Sequence, residues 1–480
     1  MSDVLENSDN QQGWQFLLVK EFAHTTSGGT PKRGVAEYYN GEIPWVKSGD
    51  LNNGYLNSCD EYITELGLNK SSAKLFKSGT LLVALYGATI GRLSILNFEA
   101  STNQAICGIT VNKNVDVKYL FYYFRSIQRK LIEQGKGGAQ PNINQQIVKE
   151  TIVPLAPLVQ QKQIVAKIEQ LFSHIDAGIE ALNTAKQRLK QYRQSVLKAA
   201  VTGELTKEWR EANKDKLEPA SQLLERILQT RRQKWEEQQL EQFKAKGKPP
   251  KNNEWKDKYK DPKASVMHMD LELPEEWDVA SVDQVAEVYL GKMLDKSKHT
   301  SGERLPYLRN INVRWGRIDT NDLLQMFFKE SELTRFDVTV GDVLVCEGGE
   351  PGRAAVWEST KTTIKYQKAL HRVRFYLPIR PQYLVYLLEY FASTGLLSRY
   401  FTGSTIKHFT KEAFLTLPFP LPSLIEMQEI ISVVDEKMYL AMRLEKEINT
   451  QLMKAEKNKQ SILASAFSGK LTANPKGADL

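Results

Sequence analysis

The residues of this chain best suited to chemistry are polar and basic side chains on glycine-punctuated loops, and the chemistry they suit is recognition. In the first half they are Lys32, Arg33, Lys47, Ser48, Asn52, Tyr86, Arg92, Gln104, Gln140 and Asn142. At matching places in the second half stand Lys292, Arg309, Asn310, Arg314, Arg353, Gln367, Lys368, Thr405, Lys407 and His408. Side chains of these types reach phosphate oxygens and base edges, so as a set on polar glycine loops they make a recognition surface. Taken singly, each has a blander reading: Tyr86 beside Gly87 as core packing, Arg92 as a surface charge. The net charge of +8 leans toward a polyanionic partner.

Catalytic signatures are missing by contrast. There is no GxxxxGK[ST] phosphate loop, and the glycines at 87 and 91, or at 348, 349 and 352, make no dinucleotide fingerprint. The Asn/Asp-Pro-Pro-aromatic tetrapeptide of amino-methyltransferases does not occur. His24, His174, His268, His299, His371 and His408 are scattered, without HExxH or His/Cys clustering. Cys59, Cys107 and Cys346 lack metal-type spacing and suit a reducing cytoplasm. The polar, acidic start MSDVLENSDNQQGW is no secretory signal, and no apolar run approaches the ~20 residues that span a membrane. The expectation is a cytoplasmic protein with no catalytic residue, no metal site and no cofactor of its own.

Short strands must position these loops. Residues 43–47, 77–85 and 101–110 read as strands, residues 14–22 as a strand or strand-turn, and residues 117–133 alternate aromatic and basic side chains at helical spacing. The second half repeats the landmarks: Trp277 answers Trp14, Pro306 answers Pro44, Arg309 answers Lys47, and Gly349 to Arg353 answers Gly87 to Arg92. The scaffold is kept while the loops differ, as two readers of two targets would require.

Two longer segments carry the same repeat without a gap. PLAPLVQQKQIV starts at Pro154 and PLPSLIEMQEII at Pro420, and Gly203 pairs with Gly469 at the same offset of 266 residues. Ile164, Ile168, Leu171, Ile175, Leu182, Ala185, Leu189, Tyr192 and Val196, with Gly178, alternate in steps of three and four. The second copy keeps Ile430, Val434, Ala441, Leu444, Ile448 and Ile462, with Lys437, Gln451 and Asn458 intruding. A seam this long predicts a coiled coil. Prolines before each helix and a glycine after are start and stop signals. The rival reading is two amphipathic helices that each cover a separate core. Between the copies, residues 219–246 show a helical pattern and residues 246–261 are charged and proline-broken, with Trp255 and Tyr259 interleaved. This stretch reads as a solvated linker, with a basic-aromatic binding surface as the alternative.

At this point the chain resembles a known family. GGTPKRGVAEYYNGEIPWVKSGDLNNG, PLAPLVQQKQI, LKAAVTGELTKEWR and the second ending ILASAFSGKLT look like the specificity subunit of type I restriction–modification enzymes. Ala156 and Ser423 interrupt the usual proline run, and Met427 stands where a glutamine is expected. The resemblance implies an α+β fold with an internal pseudo-twofold repeat: two globular target-recognition domains joined by two long antiparallel coiled-coil helices. The expected order is a first target-recognition domain at 1–153, helix 1 at 154–206, a charged helical linker at 207–270, a second target-recognition domain at 271–419, helix 2 at 420–472 and a tail at 473–480. It implies that each domain reads one half of a split target on double-stranded DNA, with the loop residues named above as the contacts. It further implies two modification (methyltransferase) subunits that bind S-adenosylmethionine, and two restriction (motor–nuclease) subunits that use ATP and magnesium. A twofold relation makes the helices antiparallel with the globules at opposite ends. A seam of about 40 residues is roughly 60 Å long, so the rod acts as a ruler between half-sites. The competing functions are a standalone DNA-binding or scaffold protein and a self-contained nuclease.

Overall fold

Alternating and continuous apolar runs make the strands, and the computed structural model describes residues 13–134, 142–265, 272–294, 301–361 and 363–472. The chain forms two units, residues 1–184 with 448–480, and residues 185–447. The tail expected at 473–480 lies outside the described residues.

In the first unit β1 (Gln15–Leu18), β2 (Ala23–Ser27) and β3 (Tyr39–Val46) are followed by β4 (Leu81–Ala84), β5 (Leu93–Leu96), β6 (Ala100–Thr102) and β7 (Ile106–Val111). One sheet runs in the order β2, β7, β4, β5 and the two-residue strand Tyr55–Leu56. β4 reads LLVA and is buried throughout because both faces are covered. Helix α1 (Val117–Gln134) lays Tyr119, Leu120 and Phe124 on Leu81 and Val83, while Leu82 and Ile106 share a second core with Val46 and Phe76. Gly108 of β7 has to be glycine, since a Cβ there would lie 2.3 Å from the Phe76 ring. β8 (Ile152–Leu155) closes the domain by pairing with β1, Gln15 opposite Leu155, and α2 (Leu158–Val201) follows.

In the second unit the end of α2 and then α3 (Ala220–Ala245) come before a domain that repeats the plan. Its strands are β9 (Asp278–Ser281), β10 (Ala286–Leu290), β11 (Glu303–Leu308), β12 (Val343–Cys346), β13 (Ala354–Val356), β14 (Lys365–Tyr366) and β15 (Leu370–Phe375). One sheet runs β10, β15, β12, β13, and α4 (Pro381–Ser393) buries Tyr383, Leu384 and Leu387 against Val343, Val345 and Val373. β16 (Pro418–Leu421) pairs with β9, Asp278 opposite Leu421, and leads into α5 (Leu424–Phe467). Both long helices therefore begin after Pro157 and Pro422, and the expected starts Pro154 and Pro420 belong to the closing strands.

The segment expected as a solvated linker is folded instead. Leu223 and Ile227 of α3 enter the second unit's core beside Val282 and Val285. Trp235 stacks on Trp255 with centroids 5.9 Å apart, and Tyr259 and Phe243 meet this pair edge-on. These aromatics supply the buried area that a charged segment otherwise lacks.

Within each unit the two long helices pair antiparallel. In the first, Ile164, Ile168 and Phe172 of α2 share a core with Leu463, Ala466 and Phe467 of α5, and Lys459 pairs with Asp176. In the second, Val196, Leu197 and Ala200 share a core with Met427, Ile430 and Val434, and Arg193 meets Glu445 at 2.8 Å. Rising numbers along α2 thus meet falling numbers along α5. Both helices have 44 residues, and glycines with left-handed backbones, Gly203 at φ +74° and Gly469 at +77°, follow them.

The buried stripe corrects part of the expected seam. Ile168, Ile175, Leu182, Leu189 and Val196 are buried or half-buried, and Leu171 is half-buried, but the regular companions stand four residues on: Phe172, Ile179, Arg193 and Ala200. Gly178 and Ala185 face out, and Tyr192 is 43% exposed. In α5 the same phase joins Val434, Ala441, Ile448 and Ile462 to Met438, Glu445, Leu452, Lys459 and Ala466, and Leu444 is 57% exposed. Burying the Lys459 stem while Asn458 stays exposed accompanies the shift, and Gln451 and Leu452 are both half-buried. The two copies keep one phase at the offset of 266 residues.

Candidate nucleic-acid interface

The topology brings the candidate residues of each domain to one end of its strands. In the first domain β2 ends at Ser27, opposite Cys107, and β7 begins at Ile106, opposite Ala84, the last residue of β4. β3 and β6 run parallel, so Val46 and Thr102 end together, and the Asn103 amide donates to Val46 O at 2.9 Å. The loops bearing Lys32 and Arg33, Lys47 and Ser48, Tyr86 and Arg92, and Gln104 therefore leave the same edge. The Asn53 amide donates to Leu93 O (2.8 Å) and brings Asn52 there, and a bridge to Tyr86 brings Asn142. Gln140 lies outside the described residues.

The second domain repeats this edge. β10 ends at Leu290 opposite His371, and β12 ends at Cys346 opposite Leu370. Leu308 and Tyr366 end the parallel pair β11 and β14, and the Gln367 amide donates to Leu308 O at 3.0 Å. The Phe409 amide donates to Glu347 O (2.8 Å) just as Ile143 donates to Leu85 O (2.8 Å). Reciprocal bonds of 2.9 Å between Thr402 and His408 form a small hairpin that exposes Thr405 and Lys407. Ala369 sits at φ +85°, a strained conformation for a residue with a Cβ, beside the exposed Lys368.

The edges are not rows of free cations. Glu61 receives Lys47 at 2.7 Å and Arg33 at 2.9 Å, and Arg33 also lies 4.9 Å from the Trp45 ring and 5.0 Å from that of Tyr39. The hydrogen bond from Lys47 holds the Glu61 carboxyl below the ordinary carboxylate range. Arg309 is pinned to Asp322 (2.7 Å), and Arg353 braces Asn310 O (2.8 Å) and Glu350 (2.6 Å). Asn52 closes its own turn, donating to Tyr55 O and accepting from the Gly54 amide, both at 3.0 Å. Lys292 is a correction: it is buried, donates to Glu332 (2.5 Å) and Phe327 O (2.8 Å), and faces the protein interior. Lys32, Arg92, Arg314, Lys368 and Lys407 are exposed and make no ion pair among the described residues. Ser48 is half-buried, and Gln104 accepts from Thr30. Asn310 donates to Gly348 O (3.3 Å), while the buried Gln367 Oε1 has no partner among the described residues. The carboxylates Glu61, Asp322 and Glu350 were missed by sequence reasoning, because their partners are set by the fold.

Each domain is thus a strand scaffold with a polar recognition edge, and the chain is a duplicated recognition protein. It belongs to the family described as the type I restriction modification DNA specificity domain, whose model matches residues 11–187 and again 274–454. Over 477 residues it is 25% identical to the EcoKI specificity subunit of Escherichia coli strain K12, covering 96% of this chain and 90% of that one. It is 27% identical over 386 residues to the EcoBI specificity subunit of Escherichia coli, covering 78% and 70%. A solved structure from work on complex assembly and conformational transition of the type I R-M system shares the fold, with a TM-score of 0.67 at 17% identity, covering 95% of this chain and 98% of that one.

Proposed function

We propose that this chain is the DNA-reading subunit of a type I restriction–modification complex. Its first domain reads one half of a split target, its second domain reads the other, and adenine methylation and restriction are carried out by partner subunits. The observation that carries this reading is the repeated strand-end edge, on which one scaffold presents different polar side chains at matched positions. Two modification subunits holding S-adenosylmethionine and two restriction subunits using ATP and magnesium complete the complex in the cytoplasm. The modification subunits grip the long helices, which both halves share. The chain itself cleaves and methylates nothing, so the purified chain with magnesium should leave duplex DNA intact.

Comparison of the host's methylated motifs with and without this gene tests the reading. Loss of one motif, two short halves around a fixed spacer, is the expected result. An unchanged methylome, with no methyltransferase co-purifying, would favour the standalone binder. The length of α2 and α5 sets the spacer: inserting four residues into both, about 6 Å of helix, should lengthen it by one or two base pairs at about 3.4 Å each. An unchanged spacer in the variant's motif removes the ruler.

A further inference from the structure

The turn at residues 309–312 and the hairpin at 402–408 are neighbours on the second domain's edge. Asn310 Nδ2 donates to Gly348 O at 3.3 Å, and a Cβ on Gly348 would lie 3.5 Å from His408 Nδ1, so one glycine turn joins the two. Their polar groups are largely spent on holding their own shape. The Arg309 amide donates to Asn312 Oδ1 (2.9 Å), Asn312 Nδ2 donates to Asp319 O (3.0 Å) and Asp322 O (2.9 Å), and Asn310 O accepts from Arg353 (2.8 Å). In the hairpin Lys407 Nζ reaches back to Gly403 O at 2.8 Å. What each braced loop turns outward is an isoleucine: Ile311 is 50% exposed and Ile406 66%. The first domain has neither. Ile311 follows Arg309 by two residues as Gly49 follows Lys47, and Ile406 precedes Phe409 by three as Gln140 precedes Ile143. A single exposed isoleucine is ordinary on a protein surface. Two on adjoining rigid loops, on an edge that also exposes Arg314 and Lys368, form an apolar patch within a basic one.

We propose that Ile311 and Ile406 read thymine, each packing on a C5-methyl group in the major groove, so that the half of the target met by the second domain carries thymines where they land. The methyl of thymine is the apolar group that the major groove presents, and that groove is wide enough to admit a hairpin. A β-branched side chain is stiff about χ1, so little freedom is lost when it meets the methyl. This inference rests on the reading of the chain as a DNA-reading subunit and adds what the second domain selects.

Binding of the full chain to duplexes bearing its methylated motif, with each thymine replaced in turn by deoxyuridine, tests this. Deoxyuridine keeps the hydrogen-bonding groups of the base and removes the methyl alone. Replacement should weaken binding about fourfold at two thymines of one half, the worth of one buried methyl each. Ile406→Ala should erase the effect at one of these positions and Ile311→Ala at the other. Both side chains are exposed, so both variants should unfold at the wild-type denaturant concentration. Each isoleucine stands or falls by its own variant: sensitivity kept at every thymine overturns its role, as does sensitivity lost in both halves at once. Tolerance of deoxyuridine everywhere, with preference for the motif intact, overturns the inference and leaves the DNA-reading function standing. Absence of any preference for the motif over other DNA removes that function, and the inference with it.

Discussion

The two domains share a scaffold but hold it together with different chemistry. At the start of the first, Trp14 Nε1 donates to Gln160 at 3.0 Å, a neutral bond. At the matching place in the second, Trp277 Nε1 donates to Glu426 (2.9 Å), whose other oxygen accepts from Thr206 (2.7 Å) and Arg210 (2.6 Å). Glu426 is buried, and among the described residues Arg210, the Thr206 hydroxyl and the Trp277 indole satisfy its carboxylate. Deeper in the sheet, Cys107 of β7 answers His371 of β15, and both are buried. One position later Gly108 answers Arg372, which is buried yet paired with Asp337 at 2.6 Å. Backbone pairing therefore carries the repeat, while interior polarity is free to diverge wherever a partner for it is present.

The largest effect should come from breaking the ionic version of this brace. Glu426→Ala removes the closest charge partner of the buried Arg210, leaving it Glu276 at 3.8 Å, and should cost about 3–5 kcal/mol. Gln160→Ala removes one neutral bond and should cost about 0.5–1.5 kcal/mol. Denaturant unfolding of the two variants measures the difference, and equal losses would erase the distinction between the halves.

The His371 and Cys107 pair should separate the halves by pH. Burial lowers His371 from the usual 6.5 to about 4, and raises the Cys107 thiol to about 12. As pH falls, the unfolded chain takes up the histidine proton first. The contribution is complete above about pH 6.5 and is lost progressively down to about 4, reaching about 3 kcal/mol. His371→Cys, which copies the first half, should flatten that part of the stability curve. The same slope in wild type and variant would show that other groups cause it.

The smallest effects test the edges. Gln104→Ala should relax the first half of the motif alone, by about 1–3 kcal/mol if Gln104 reads a base. Lys368→Gln should weaken binding to all sequences and lower the salt slope by about 0.9 if it meets a phosphate. Binding assays on duplexes varied in one half at a time distinguish the two outcomes. Relaxation of both halves by Gln104→Ala would contradict the division of labour between domains.

Much of this was readable from the chain because repeats and helical periodicity are local signals. The offset between Pro154 and Pro420 located both long helices, and loop composition located the residues that the strand ends gather. Three things were not local. Lys292 reads as a loop cation until the fold brings Glu332 to it across 40 residues. The seam's phase depends on which side chains the facing helix accepts, so Leu444 was placed inside while Lys459 was not. The charged stretch after α2 folds because Trp235 finds Trp255, an encounter that composition alone does not announce.

The pairing of β1 with β8 and of β9 with β16 has a further consequence. The first and last strands of each domain are immediate neighbours, Gln15 beside Leu155 and Asp278 beside Leu421, a few ångströms apart as paired strands are. A domain whose two junctions sit side by side can be exchanged by recombination without pulling on the helices that follow. Each domain is thus plugged into the chain through one two-stranded stem, so its interior can be replaced between the junctions while the stem, and the helix that leaves it, keep their place.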